Sequence, residues 1–215
     1  MNIGQYKFEL PLDWGAVENE MHRRHSIGQI EISDYAVDLL NQTIEKVDGC
    51  HLPLSTDQIA SCGRQLQQEN TADIKLPPCI FERFRTLALM DAMVKDFDWK
   101  IEDVASYRIE IILDYVKRHE ELIPFNAPRV GHLDDVILVE AAKNTLTTEL
   151  ENYVDFRRLR KLEAYLQGMP LNAFTYYREN WLESKAAEQA LIRNQRENGL
   201  SSYRSGLEVR IFKVH

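Results

Sequence analysis

Cysteine is scarce in this chain: Cys50, Cys62 and Cys79 are the only three in 215 residues. An odd count with no CxxC spacing excludes a disulfide scaffold. It fits reduced thiols in a cytoplasmic protein, with a Cys50–Cys62 bridge the one pairing left open. Nine glycines and seven prolines are few for this length, which leaves room for long uninterrupted helices. Apolar runs are short as well. The longest are 109–113, broken by Glu110, and 136–139, far below the ~20 residues that cross a bilayer. Residues 1–13 hold one Lys and no apolar run of signal-peptide length, which argues against secretion by that route. Missing too are GxSxG, a P-loop and GxGxxG, and with them the common hydrolase, NTPase and dinucleotide signals. No βαβ alternation, repeat or low-complexity stretch is visible. Positive charge is the minority: 26 Lys and Arg stand against 34 Asp and Glu, a net of -8. A general nucleic-acid binder, which needs a cationic surface, is therefore not expected.

What is present is an ordinary globular mixture, 44% hydrophobic and 28% charged, enough to bury a core. Residues 6–10 and 207–214 alternate apolar and charged side chains, the period of a half-buried strand. Nearly everything between reads as helix. Ser33 opens an amphipathic stripe of Tyr35, Val37, Leu39, Leu40, Ile44 and Val47 that Gly49 ends. Ser55 with Gln58 forms a weak capping box for a polar helix running to about Glu69. Pro77 and Pro78 begin a strongly apolar helix through Ile80, Phe81, Phe84, Leu87, Met90, Met93 and Phe97. The next spans 101–122, with Val104, Tyr107, Ile111, Ile112, Tyr115 and Val116 expected inward. Helices over 132–153, 155–166 and 171–198 complete the set. The expected fold is mainly α: one compact multi-helix domain over 1–215 with short terminal β-strands.

Charge is unevenly placed. Residues 1–154 carry 15 basic and 27 acidic side chains, whereas 155–215 carry 11 and 7. Asp96, Asp98, Glu102, Asp103, Glu110 and Asp114 crowd one stretch with Glu120 and Glu121. Such a run is either a solvated helix face or an acidic surface for a basic partner; complementary charge of this kind raises association rates and selects partners. Tyr107 and Tyr115 are candidate anchors for such an interface, although the same spacing suits a core stripe. Arg157, Arg158, Arg160 and Lys161 form a basic run that either holds phosphate or makes salt links to the acid-rich part. The cluster His22–His25 suits a helix C-terminus. Cys79, at a helix start, is either an activated thiolate or an inert buried thiol.

The segment Leu122-Ile123-Pro124-Phe125-Asn126-Ala127-Pro128-Arg129-Val130-Gly131-His132-Leu133-Asp134-Asp135 is the most distinctive. Two prolines keep it extended, Gly131 permits a sharp turn, and the paired aspartates fall in the first turn of the following helix, where carboxylates are stabilising. It resembles the YkvA-like domain, a short bacterial domain of unknown function with the pattern I-P-D-x-x-P-x-x-G-x-x-D-D, over about residues 108–145. Ile123-Pro124, Pro128, Gly131 and Asp134-Asp135 match, while Phe125 replaces the acidic residue after the first proline. The resemblance implies an accessory protein at a membrane surface, but the apolar flanking helices of many members are absent. Read from the residues, His132, Asp134 and Asp135, with His119, Glu120 and Glu121, could supply imidazole and carboxylate ligands to a divalent cation in a metal-dependent enzyme. Helix capping explains the two aspartates without a metal.

The expectation drawn from these features is a soluble, cytoplasmic, non-enzymatic protein without a cofactor. Its acidic stretch would bind a basic protein. The sharpest form is an immunity-type inhibitor of a toxin such as a nuclease, with no direct nucleic-acid contact and no membrane insertion.

Overall fold

The computed structural model describes residues 24–49, 52–68, 77–118 and 122–197. The two expected terminal strands lie outside these residues, as do Cys50, His119, Glu120, Glu121 and the first half of the His22–His25 cluster. The described chain is mainly α-helical, with one short antiparallel hairpin. It divides into two compact units, Met1–Asp96 with Ile101–Glu151 and Phe97–Lys100 with Asn152–His215.

In the first unit, strands β1 (Ser26–Ile27) and β2 (Ile30–Glu31) pair antiparallel with Ser26 opposite Glu31. Arg24 and His25 lead into this hairpin. The Arg24 guanidinium reaches Ser61 Oγ at 3.0 Å. Helix α1 (Asp34–Asp48) follows Ser33 and stops at Gly49, whose φ of 72° is the left-handed cap that glycine supplies without strain. It buries Val37, Leu40, Ile44 and Val47, and leaves Tyr35 exposed. Helix α2 (Thr56–Gln68) opens with the expected capping box: Ser55 N–H donates to Gln58 Oε1 at 2.8 Å and Gln58 N–H to Ser55 Oγ at 3.3 Å. Its one apolar face buries Ile59, Ala60, Cys62 and Leu66. Helix α3 (Pro78–Lys95) starts on Pro78, where the missing N–H costs nothing. It buries Ile80, Leu87, Met90 and Met93, but Phe81 and Phe97 face outward.

Helix α4 (Asp103–Lys117) is turned relative to expectation. It buries Ala105, Ile109, Ile112 and Tyr115, and exposes Val104 and Tyr107. The row 105, 109, 112 is a 3.6-residue stripe of its own, and the rival stripe 104, 107, 111 is equally apolar by sequence. Only the packing against α1, α3 and α5 selects between them. Helix α5 (Leu133–Ala141) is buried at every position except the half-buried Glu140, its two aspartates included. It packs against α1, α3 and α4. Arg83 of α3, itself buried, meets Glu140 at 3.0 Å and donates to the Cys79 carbonyl at 3.1 Å.

The expected break at residue 154 is not found. The chain breaks at Ala142, and one helix, α6 (Lys143–Leu166), runs on from there. Gly168 then ends it in the left-handed region. A short 3-10 turn occupies Leu171–Ala173, so the last helix, α7 (Arg178–Glu197), begins seven residues later than the apolar pattern suggested. Asn180 delays it by capping: its Oδ1 accepts the Tyr177 N–H at 2.9 Å.

The second unit has an aromatic core. Trp99 is fully buried, with ring centroids of Phe156, Trp181 and Tyr153 at 4.9, 5.3 and 5.6 Å. The Arg178 guanidinium lies 4.3 Å from the Trp99 centroid, a cation–π contact. Asp155 takes the Trp181 indole N–H at 3.0 Å and ion pairs from Arg158 and Lys185 at 2.7 and 3.4 Å. Burial alone would raise this carboxyl. The two hydrogen bonds and the two positive charges outweigh it, and the group is held below the usual range.

Candidate functional site

The six acids of the expected binding stretch fall into different settings. Asp96 caps α3, half-buried, its N–H on the Met93 carbonyl at 3.3 Å. Asp98 belongs to the second unit, where Arg160 reaches its carboxylate at 3.2 Å. Arg160 is thereby spent on a salt link, as one reading of the basic run at 157–161 supposed, and also lies 4.9 Å from the Phe156 ring. Glu102 is the exposed N-cap of α4.

The remaining three share one helix face. Asp103, Glu110 and Asp114 are all exposed on α4, at positions i, i+7 and i+11. Tyr107 stands at i+4 in the same row, 59% exposed, and Val104 beside it is 62% exposed. Ser106 donates to Glu110 at 3.1 Å, which orients that carboxylate along the row. This face therefore combines acids with an exposed aromatic ring and an aliphatic side chain. Val104 and Tyr107, both expected inward on helical spacing, face solvent, and of the two candidate anchors Tyr107 is the exposed one. Tyr115, the other candidate anchor, is buried and unavailable.

Asp134 and Asp135 are acids of another kind, both buried. Asp134 accepts the Leu122 N–H at 3.1 Å and a long contact from the Tyr115 hydroxyl at 3.4 Å. Burial first, then the charge of Asp135, push its carboxyl up to about 6, against the opposing pull of backbone N–H groups. Burial and the same two carboxylates raise the Tyr115 phenol. Asp135 turns the other way and meets His132 Nδ1 at 2.8 Å. His132 is the N-cap of α5 and Asp135 its N3 residue, the spacing of a capping box. The histidine ring lies edge-on to Phe84, with centroids 4.7 Å apart.

The loop before them is built for closeness. A Cβ on Gly131 would run into the Phe125 carbonyl oxygen, so only glycine fits. Arg129 and His132 both take positive φ, 67° and 68°. Arg129 Nε also donates to the Leu66 carbonyl at 2.9 Å, tying the corner to α2. Here the carboxylates serve as internal acceptors for a helix junction. Asp134 points at Leu122 and Asp135 at His132, while the other half of the alternative ligand set, His119, Glu120 and Glu121, lies outside the described residues. Among the described residues no group of three His, Cys, Asp or Glu side chains is placed to hold a metal ion. Cys62 and Cys79 are not joined in a disulfide, and burial, followed by the nearby Cys79, pushes Cys62 up to about 12. Among the described residues no helix is long and apolar enough to cross a membrane.

No family model, no curated protein and no solved structure matches this chain.

Proposed function

We propose that this chain is a binding protein that docks a basic protein partner on the outer face of α4, in the manner of an immunity-type inhibitor of a cationic toxin such as a nuclease. The observation that carries the reading is the row Asp103, Tyr107, Glu110, Asp114, with Val104 alongside, all exposed on one face. The carboxylates would speed encounter and select positive partners, while the tyrosine ring supplies the desolvated contact from which affinity comes. An enzyme active site that grips a phosphodiester backbone presents a complementary cationic groove. The reading places the protein in the cytoplasm, without a cofactor, membrane insertion or catalytic step of its own.

A pull-down from the native host followed by kinetics tests it. The captured partner should be basic, its association should slow as salt rises, and Asp103→Lys with Glu110→Lys and Asp114→Lys should slow it by about tenfold or more at low salt. Tyr107→Ala should chiefly quicken dissociation. A tight partner indifferent to salt and to all four substitutions would sink the reading.

A further inference from the structure

The second unit exposes an apolar ridge along the last half of α6. Leu162, Tyr165 and Leu166 are 44%, 81% and 67% exposed, with the half-buried Leu159 in line. Positions 159, 162 and 166 share one face, spaced as in a helix that packs on another helix. Arg158 and Lys161, both exposed, lie along one edge of this ridge, with Tyr165 between the two. Asp155, just before it, is occupied by Trp181, Arg158 and Lys185.

The outer face of α4 has the same plan with the opposite sign. Val104, Tyr107 and the half-buried Ile111 make a ridge, and Asp103, Glu110 and Asp114 line one edge. Viewed down each helix from its N-terminus, the charged edge lies on the same rotational side of the ridge in both. Two such helices packed antiparallel set like-handed edges against each other, so carboxylates meet Arg158 and Lys161. Parallel packing would separate them.

From this complementarity we infer that a second copy of the chain occupies the α6 ridge, inserting its α4 face antiparallel on Leu159, Leu162 and Leu166. The contact is heterologous: each copy has one donor face and one acceptor face, so association continues head to tail into rings or chains. It goes beyond the proposed partner, which is absent from the test below, so either idea can fail without the other.

The test uses the full chain in sedimentation velocity over a wide concentration range at low and high salt. The wild-type chain should form species larger than a monomer at low salt and lose them at high salt. Glu110→Lys with Asp114→Lys removes the acidic edge, and Arg158→Glu with Lys161→Glu removes the basic edge. Each double variant alone should be monomeric, with self-association weakened by about tenfold or more. Their equimolar mixture sets opposite charges against each other at both contacts, native edges at one and reversed edges at the other, and should again form species larger than a monomer. Leu166→Ser, at an exposed position, should also abolish association while far-UV circular dichroism stays unchanged, which separates loss of the contact from loss of folding. A wild-type chain that stays monomeric at every concentration and salt overturns the inference. So does a mixture of the two double variants that fails to pair.

Discussion

Helix α4 presents two faces to two environments, and its tyrosines mark the contrast. Tyr115 faces inward beside Asp134, where burial raises both groups and each hydrogen-bond contact secures the α4–α5 corner. Tyr107 faces outward in a row of solvated carboxylates, where Ser106 donates to Glu110 within α4 itself. Asp134 and Asp114 are chemically identical. The first is committed to a buried N–H and a hydroxyl; the second is available to whatever approaches. Burial decides which acids hold the fold and which can serve recognition.

The strongest way to press on this contrast is through the buried side. Arg83→Ala leaves Glu140 without its closest cation and opens a cavity under α5, and should cost about 3 kcal/mol of unfolding free energy in urea titration. Arg83→Met keeps more of the volume and should cost less. By comparison, Lys95→Ala removes an exposed ion pair to Asp91 and should change stability by no more than about 0.5 kcal/mol.

Next comes pH. The native Asp134 carboxyl, near 6, binds its proton more tightly than in the unfolded chain, where it titrates near 3.8. Its contribution to stability is therefore fully present below about pH 4 and is lost as pH rises through 6, by about 3 kcal/mol in all. Asp134→Asn carries no such titration. Measured from pH 4 to pH 7, the variant's stability relative to wild type should improve by about that amount. A constant difference across this range would show that Asp134 is not buried as an acid.

Gly131→Ala places a methyl group against the Phe125 carbonyl and should cost about 1–3 kcal/mol, by the same denaturation assay. Smallest of all should be the exposed row. Asp103→Ala, Glu110→Ala and Asp114→Ala should each alter stability by at most about 0.5 kcal/mol, read from the midpoint in urea. A larger loss at Glu110 or Asp114 would mean that the outer face also holds the fold, and the contrast would blur.

Local signals in the sequence were sufficient where a single residue's chemistry governs the backbone. Gly49 ended α1, Ser55 with Gln58 opened α2, and Pro78 began α3, because caps and prolines act within one helical turn. The same holds for the paired aspartates, whose place in the first turn of α5 follows from the prolines and Gly131 before them. Their buried, diverging directions do not, since these depend on Leu122 and Tyr115, brought there by the turn between α4 and α5.

The choice of buried stripe on α4 was likewise closed to local reading. Rows 105–109–112 and 104–107–111 are both apolar, and a helix alone has no preference between them; the partners α1, α3 and α5 supply it. Trp99 shows the same limit from the other side. It stands between Asp98 and Lys100 with no helical period around it. It is nevertheless the centre of the second unit, because residues more than fifty positions away in α6 and α7 close their rings upon it. Sequence alone determined where α1, α2 and α3 start and how many acids the chain carries, since those depend on neighbours within a few residues. The break at Ala142 and the late start of α7 lay beyond it. Tertiary structure decided which side of each helix meets solvent, and so which of those acids remain outside, because burial depends on surfaces that only the folded chain brings together.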